Sequence, residues 1–181
     1  DFGWIDEGKA GDFAVNAHDD AGPQVRAAFE SALAVLQLDA DVIVQPAEYR
    51  TKKMLIADMD STMITVECID ELADYAGIKP QIAAITERAM QGELDFRAAL
   101  TERVALLAGL EESVIARCLA ERVQLMPGAR TLVQTMKARG SHCVLVSGGF
   151  TRFAAPVAAQ IGFDLAIANI LEIADGGLAG R

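Results

Sequence analysis

The fold is decided by an apolar run that ends in two carboxylates, Lys53-Met54-Leu55-Ile56-Ala57-Asp58-Met59-Asp60-Ser61-Thr62-Met63-Ile64. A run of about four to eight apolar residues is typical of a strand that is buried on both faces of a parallel sheet. Asp58 and Asp60 follow at the carboxyl end of this strand, which is where ligands bind in open α/β sheets. Because two neighbouring acids repel each other, we expect a cation between them, and Mg²⁺ suits such oxygen ligands best.

Two other interpretations of these acids are weaker. The first is a polar loop that follows a core strand and binds nothing. The second is an EF-hand calcium loop, but a loop that begins at Asp58 would need glycine at the position of Met63 and glutamate at that of Ile69. It would also follow a helix, whereas the residues before Asp58 predict a strand.

The composition is that of an acidic globular protein of 181 residues, 52% hydrophobic, with a net charge of -10. Such a surface suits neither nucleic acid nor an anionic membrane, so we expect neither as a partner. Cys68, Cys118 and Cys143 form no CxxC pair, which favours buried free thiols and a reducing, cytoplasmic setting. No apolar run approaches the length of a membrane span.

Residues 1–46 predict a partial α+β segment that is too small to bury a core alone. Its Gly- and Asp-rich start is expected to be mostly loop, with a short strand near residues 13–15. A helix is predicted to begin at Pro23, because proline suits a first helical turn and apolar residues then recur at helical spacing. A strand is predicted over residues 41–45, and residues 45–52 are the expected linker.

Four short helices are predicted after the two acids, over residues 67–76, 80–90, 95–107 and 111–122. Apolar residues recur there at helical spacing, and capping residues such as Asp95 and glycines stand at the boundaries. Because these helices are inserted after the first strand, we expect them to form a helical cap of about residues 66–125 over the carboxylates.

The α/β pattern then resumes. A helix is predicted over residues 127–139, a second apolar strand over 142–146, a helix over 151–161, a third strand over 165–168 and a hairpin over 171–178. The predicted fold is therefore α/β, with a Rossmann-like parallel sheet. Its core would comprise residues 50–65 and 126–181.

The second predicted strand ends in Ser147-Gly148-Gly149-Phe150, beside the two acids. Backbone N–H groups at a helix start cradle phosphate, Ser147 adds a hydroxyl donor, and Gly148 allows close approach. Ser-Gly-Gly alone is weak evidence, because such turns are usually only turns. Beside the acids it indicates phosphate-ester chemistry, with Asp58 as nucleophile and Asp60 as general acid and base on the same face of the extended chain.

The stretch from Asp58 to Thr62 resembles the first motif of the haloacid dehalogenase superfamily in its phosphatase form. More specifically, about residues 50–181 resemble the phosphoserine phosphatase family. This resemblance rests on Glu67-Cys68-Ile69-Asp70-Glu71-Leu72, Ile85-Thr86-Glu87-Arg88-Ala89-Met90-Gln91-Gly92, Phe96, Arg103-Val104 and Val146-Ser147-Gly148-Gly149-Phe150. Residues 1–46 resemble the tail of the ACT-like N-terminal domain of many bacterial members, which leaves residues 47–181 as the phosphatase domain.

The resemblance implies a magnesium-dependent hydrolysis of O-phospho-L-serine to L-serine and phosphate, the last step of serine biosynthesis. Asp58 would be the nucleophile, which forms an aspartyl-phosphate, and a magnesium ligand. Asp60 would be the general acid and base, and its backbone carbonyl would also bind the metal. Ser147 and Gly148 would bind the phosphoryl group.

The resemblance also implies roles for the cap. Glu67 would hold the amino group of the substrate, and Arg103 would bind its carboxylate. Met90 and Phe96 would help to close the cap over the substrate. In most proteins Glu67 and Arg103 would be ordinary charges on a helix surface, so these two roles depend on the resemblance.

Two further motifs of the family do not occur in these residues: a lysine that neutralises the phosphate and an acidic Gly-Asp-Gly-x-Asn-Asp stretch. We therefore expect the chain to be part of a longer enzyme and to be impaired alone. A sheet without its last strands would expose an edge and apolar faces, which favours association, for example as a homodimer. Two alternatives stay open: a related phosphatase or phosphotransferase for another phosphomonoester, and a non-catalytic amino-acid-binding fragment.

Overall fold

The computed structural model describes residues 1–18, 20–48 and 50–181. The chain divides into two compact units, Asp1–Lys52 and Lys53–Arg181. Tyr49, within the predicted linker, lies outside the described residues. No described helix has the length and apolar character needed to cross a membrane.

The first unit contains an antiparallel hairpin and a helix. Strands β1 (Phe2–Asp6) and β2 (Ala10–Phe13) pair directly, and helix α1 spans Gly22–Leu36 with proline in its first turn. The ring of Phe13 contacts those of Phe2 and Phe29, with centroids 4.7 and 5.2 Å apart. The helix predicted from Pro23 is confirmed. It packs on the hairpin through the contact of Phe29 with Phe13.

Two predictions for this unit are wrong, the loop over the first residues and the strand over residues 41–45, and the short strand expected near residues 13–15 lies earlier, at Ala10–Phe13. The glycines of the first 13 residues belong to a hairpin and not to a loop, because the turn after Asp6 lets the two flanking segments pair with each other. Residues 41–45 form no strand, since a strand needs a hydrogen-bonded neighbour and β1 and β2 pair only with one another in the described chain. The β-branched residues at 42–44 signal propensity without a partner.

The second unit is built on a parallel sheet in the order β3 (Met54–Ala57), β4 (His142–Phe150), β5 (Leu165–Asn169). Helices α6 (Ala129–Ala138) and α7 (Thr151–Ile161) provide the crossovers to β4 and β5. The apolar side of α7 is buried with Cys143 and Leu145 in the main core, through Phe153, Ala154, Val157, Ala158 and Ile161. The predicted α/β class with a parallel sheet is confirmed.

One face of this sheet is open. The register aligns Ile56 with Val144 and Val144 with Leu165, so alternate residues of the three strands share a face. Exposed apolar residues on it are Met54, Ile56, Val146, Leu165 and Ile167. The expectation that β3 is buried on both faces is therefore wrong, because Ile56 is 63% exposed. A separate expectation, that this sheet would expose an apolar face, agrees with the structure.

Four helices form the insertion after β3, namely α2 (Cys68–Tyr75), α3 (Lys79–Met90), α4 (Phe96–Leu106) and α5 (Ser113–Glu121). Each lies within two residues of its predicted bounds. Asp95 caps α4 as predicted, because its side chain accepts a 2.7 Å hydrogen bond from the N–H of Ala98. The two connections to the core lie side by side, with an antiparallel bridge between Ile64 and Leu125.

Besides the bridge between Ile64 and Leu125, backbone hydrogen bonds join the far loop of the cap to the core. A short hairpin of β6 (Ile173–Ala174) and β7 (Gly177–Leu178) follows the sheet, as predicted. Its residues bond to the loop between α4 and α5, where the N–H of Glu112 donates to the carbonyl of Gly176 at 2.9 Å. The cap is thus held at both its connecting segments and its far loop. Cys68, Cys118 and Cys143 are buried free thiols, as predicted.

Candidate active site

A tight turn fixes the two carboxylates at the end of β3. Met59 is fully buried, and its carbonyl oxygen accepts hydrogen bonds from the N–H groups of Thr62, Met63 and Ile64. The burial of Met59 anchors the backbone between Asp58 and Asp60. Asp58 keeps a more open position, with the Thr62 hydroxyl 3.4 Å from its Oδ2.

Asp60 has a partly buried environment that differs from that of Asp58. Its Oδ1 accepts a 2.8 Å hydrogen bond from the N–H of Cys68, the first residue of α2, and its Oδ2 lies 3.4 Å from the Ser147 hydroxyl. Burial raises the pKa of Asp60, the hydrogen bond from Cys68 opposes that rise, and the charges of Glu67 and Asp58 add to it. Asp60 therefore holds a proton more readily than an exposed aspartate, which suits a general acid.

The turn after the apolar part of β4 lies against these acids. Ser147 is buried, and its hydroxyl oxygen accepts a 2.9 Å hydrogen bond from the N–H of Gly149. A Cβ atom on Gly149 would lie 2.9 Å from Oδ2 of Asp60, so only glycine fits there without displacement. Gly148 approaches the cap instead, because a Cβ there would lie 3.0 Å from the ring of Phe96.

Charged side chains from the cap line the same cavity as the acids. The hydroxyl of Ser61 donates a 2.6 Å hydrogen bond to Oε1 of Glu67, which precedes α2. Arg103 on α4 is fixed by a 3.3 Å hydrogen bond from its Nε to the carbonyl of Ala99, one turn earlier. The site therefore combines an acid and a base from the cap with two acids from the core.

These elements enclose a cavity of about 250 Å³. Its lining residues are Asp58, Asp60, Glu67, Ile69, Phe96, Leu100, Arg103, Gly148, Gly149 and Phe150. Ser147 contacts the site from behind, through Asp60 and Gly149. Met90 does not line the cavity and is 85% exposed at the end of α3.

Three residues of this site were not singled out from the sequence: Ser61, Gly149 and Asn169. Ser61 and Gly149 lie within quoted motifs, but only their contacts with Glu67 and Asp60 reveal what they do. Asn169 lies at the end of β5, and its side chain donates a hydrogen bond to the glycine turn, the turn of Ser147, Gly148 and Gly149. A polar residue that ends a predicted parallel strand beside such a turn is the signal that could have found it.

A larger, more open cavity of about 490 Å³ lies elsewhere, beside the start of α5. Its charged residues, Glu112 and Arg152, pair with each other at 2.7 Å. Because Glu112 is the one carboxylate among its described lining residues and is already paired with Arg152, this cavity has no pair of acids like Asp58 and Asp60, and we assign the chemistry to the smaller cavity.

The donors present fit a magnesium ion in part. Among the described residues there is no group of three or more side chains of the kinds that usually bind metals. Magnesium, however, is often held by one or two carboxylates together with substrate phosphate and water. Asp58 offers hard carboxylate oxygens, whose hydrogen bond from Thr62 is long at 3.4 Å. The pKa of Asp60 is raised first by burial and then by the negative charges of Glu67 and Asp58.

Comparison with known proteins defines the class of this chain. Residues 55–181 match the family model of haloacid dehalogenase-like hydrolases, and the chain belongs to that family. It is 45% identical to a phosphoserine phosphatase of Streptomyces coelicolor over 157 residues, which cover 87% of this chain and 38% of that protein. It is 50% identical to the phosphoserine phosphatase SerB2 of Mycobacterium tuberculosis over 133 residues, 74% of this chain and 32% of that one.

Solved structures agree with the sequence relatives. A phospho-aspartyl intermediate analogue of phosphoserine phosphatase superposes with a TM-score of 0.67 at 36% identity, over 72% of this chain and 62% of that one. The chain spans about a third of the length of the two curated relatives named above.

Proposed function

We propose that this protein hydrolyses O-phospho-L-serine to L-serine and phosphate. One observation supports the proposal above others: Asp58, Asp60, Glu67 and Arg103 all line the same cavity. The substrate has a phosphate, an ammonium and a carboxylate group. The core end of the cavity suits the phosphate, whereas the cap offers an anion for the ammonium and a cation for the carboxylate.

Asp58 is the proposed nucleophile. Its carboxylate oxygen attacks phosphorus, the bond from phosphorus to the serine oxygen breaks, and the leaving oxygen takes the proton of Asp60. Asp60 then removes a proton from a water molecule that attacks the aspartyl-phosphate, which releases phosphate and restores Asp58. The raised pKa of Asp60 supports the first of these steps, because the acid must be protonated when the leaving group departs.

The phosphoryl group is proposed to rest against the turn of Ser147 and Gly148. Backbone N–H groups that precede α7 supply neutral donors there, beside Ser147. Asp58 and the backbone carbonyl of Asp60 would hold Mg²⁺, which supplies positive charge to the phosphoryl oxygens when bound.

The cap residues are proposed to select the substrate. A guanidinium matches a carboxylate with two parallel hydrogen bonds. The hydrogen bond of Arg103 to the carbonyl of Ala99 uses Nε, and its terminal nitrogens are proposed to bind the substrate carboxylate. Phe96 lines the cavity in this structure. Met90 is proposed to reach the substrate only when the cap moves, because its side chain is exposed here. Serine biosynthesis is the proposed pathway.

The test compares three phosphomonoesters: L-phosphoserine, phosphoethanolamine, which lacks the carboxylate, and glycerol phosphate, which lacks both charged groups. We expect kcat/KM to be highest for L-phosphoserine. Arg103→Lys should lower this value about tenfold while leaving phosphoethanolamine nearly unaffected, because a charged hydrogen bond contributes roughly 1.5–3 kcal/mol.

Arg97→Lys on the same helix is the matched control, since Arg97 is exposed and does not line the cavity. Its kinetic constants should equal those of the parent for all three esters. A preference for glycerol phosphate, or equal losses with L-phosphoserine and phosphoethanolamine in Arg103→Lys, would contradict the proposed substrate and favour another phosphomonoester.

A further inference from the structure

The side chain of Asn169 bonds to the turn that faces the two acids. Its Nδ2 donates to the carbonyl oxygen of Gly148 at 2.8 Å and to that of Gly149 at 3.3 Å. Asn169 ends β5, about 20 residues further along the chain than this turn, so the contact is a tertiary one. Because an amide nitrogen carries two hydrogens, one side chain can satisfy both carbonyls.

The hydrogen bonds continue from this contact towards the acids. The carbonyl of Gly148 and the N–H of Gly149 belong to one planar trans peptide and point in opposite directions. That N–H donates to Oγ of Ser147 at 2.9 Å, and the same hydroxyl lies 3.4 Å from Oδ2 of Asp60. Since Oγ of Ser147 accepts from Gly149, its own hydrogen is available for Asp60.

A break in the sheet explains why a side chain is needed here. The pairing of β4 with β5 is regular up to Val146 and resumes at Phe150 opposite Asn169, with an irregularity between these positions. Backbone pairing with β5 is therefore interrupted across Ser147, Gly148 and Gly149. The carboxamide of Asn169 holds this segment where the strand ladder does not.

We propose that Asn169 is a positioning residue that fixes the turn of Ser147, Gly148 and Gly149, and with it the direction of the Ser147 hydroxyl towards Asp60. The effect of this role on phosphate binding rests on the proposed phosphatase function, in which phosphate binds at that turn. Loss of the carboxamide lets the Gly148–Gly149 peptide rotate. The N–H of Gly149 then leaves Ser147, and phosphate binding weakens.

Asn169→Ala and Asn169→Asp separate positioning from simple packing. Both remove the two N–H donors, but aspartate keeps the shape of asparagine and directs a carboxylate at two carbonyl oxygens. We expect the dissociation constant of inorganic phosphate, measured by calorimetry with Mg²⁺ present, to rise about 3- to 10-fold in Asn169→Ala and further in Asn169→Asp. A packing role would give the opposite order, because the isosteric aspartate would be the milder change.

Amide hydrogen exchange at Gly149, measured by NMR, tests the proposal without any catalysis. Exchange should quicken in both variants and stay unchanged in Ile170→Ala, a control at the next, exposed position. The KM for L-phosphoserine should rise with the phosphate constant, and the midpoint of thermal unfolding should stay close to that of the parent.

Unchanged Gly149 exchange in Asn169→Ala would overturn the proposal, as would a milder effect of aspartate than of alanine. Should Asn169→Asp fail to fold, the exchange rate in Asn169→Ala decides alone. A parent protein that releases no phosphate from L-phosphoserine would instead contradict the proposed function, while Gly149 exchange would still report on the role of Asn169.

Discussion

The hydroxyl of Ser61 donates a 2.6 Å hydrogen bond to Oε1 of Glu67, and the backbone of Ser61 has a φ of 52°. A non-glycine residue in this left-handed region is strained by about 1–2 kcal/mol. The strain places the hydroxyl beside the residue that precedes α2. One oxygen of Glu67 is thereby fixed by the core, and Glu67 lines the cavity.

Replacing Ser61 tests whether this bond orients Glu67. Ser61→Gly relieves the backbone strain and removes the donor, so we expect stability to be retained while the KM for L-phosphoserine rises about fivefold. Ser61→Asn is the matched variant, because asparagine tolerates the left-handed conformation and its carboxamide can donate. Its KM should lie closer to that of the parent. Equal KM values for the parent and Ser61→Gly would refute the orienting role.

Asp60 should make the folded protein less stable at neutral pH. A carboxyl with a higher pKa in the folded than in the unfolded state binds more protons when folded, so the free energy of unfolding falls as pH rises through those pKa values. Asp60→Asn removes this charge and can still accept from Cys68. In metal-free buffer at pH 7 we expect it to stabilise the protein by roughly 0.5–2 kcal/mol.

The pH profile supplies the control for Asp60→Asn. The advantage of the variant should shrink as pH falls and vanish below the ordinary aspartate pKa of 3.8, where the carboxyl is protonated in both states. Denaturant unfolding at several pH values measures this difference. A gain that is constant with pH, or a loss at pH 7, would show that the charge of Asp60 is not the cause.

Substituting alanine at Gly149 and at Gly148 should have different effects on activity. Gly149→Ala places a Cβ 2.9 Å from Oδ2 of Asp60 and 3.1 Å from Oγ of Ser147, so both polar groups must shift. We expect kcat/KM to fall by about 10²-fold, the usual consequence of a misplacement near 1 Å. In Gly148→Ala the new Cβ meets only the ring of Phe96, which is 61% exposed and can rotate away. Its loss should be much smaller, and similar losses in both variants would contradict this assignment.

The sequence predicted those parts of the fold that local signals determine. Helices α2 to α5 were found because capping residues and glycines mark their ends, and β3 to β5 because each is an apolar run of strand length. The hairpin of β1 and β2 was missed since its glycines imitate a loop. The strand expected over residues 41–45 failed because pairing, and not propensity, makes a strand.

The sequence likewise predicted the site residues at strand ends but not the side-chain contacts that orient them. Asp58, Asp60 and Gly148 sit at strand ends, where topology alone brings them together. The contact of Asn169 with Gly148 depends on the orientation of a side chain at the end of β5, and the bond of Ser61 to Glu67 depends on a left-handed φ at Ser61. Neither has a periodic or compositional signature, so both required the structure.

The most direct test of the account is phosphate release from L-phosphoserine by the protein as the cell produces it, with Mg²⁺ and with a chelator, beside Asp58→Asn. We expect release with Mg²⁺ only, a fall of more than about 10³-fold in Asp58→Asn, and a phosphorylated peptide containing Asp58 in acid-quenched parent samples. Asn differs from Asp by one atom at an open position, so the fold should be retained. Release by Asp58→Asn at the parental rate would contradict the account, because another group would then be the nucleophile.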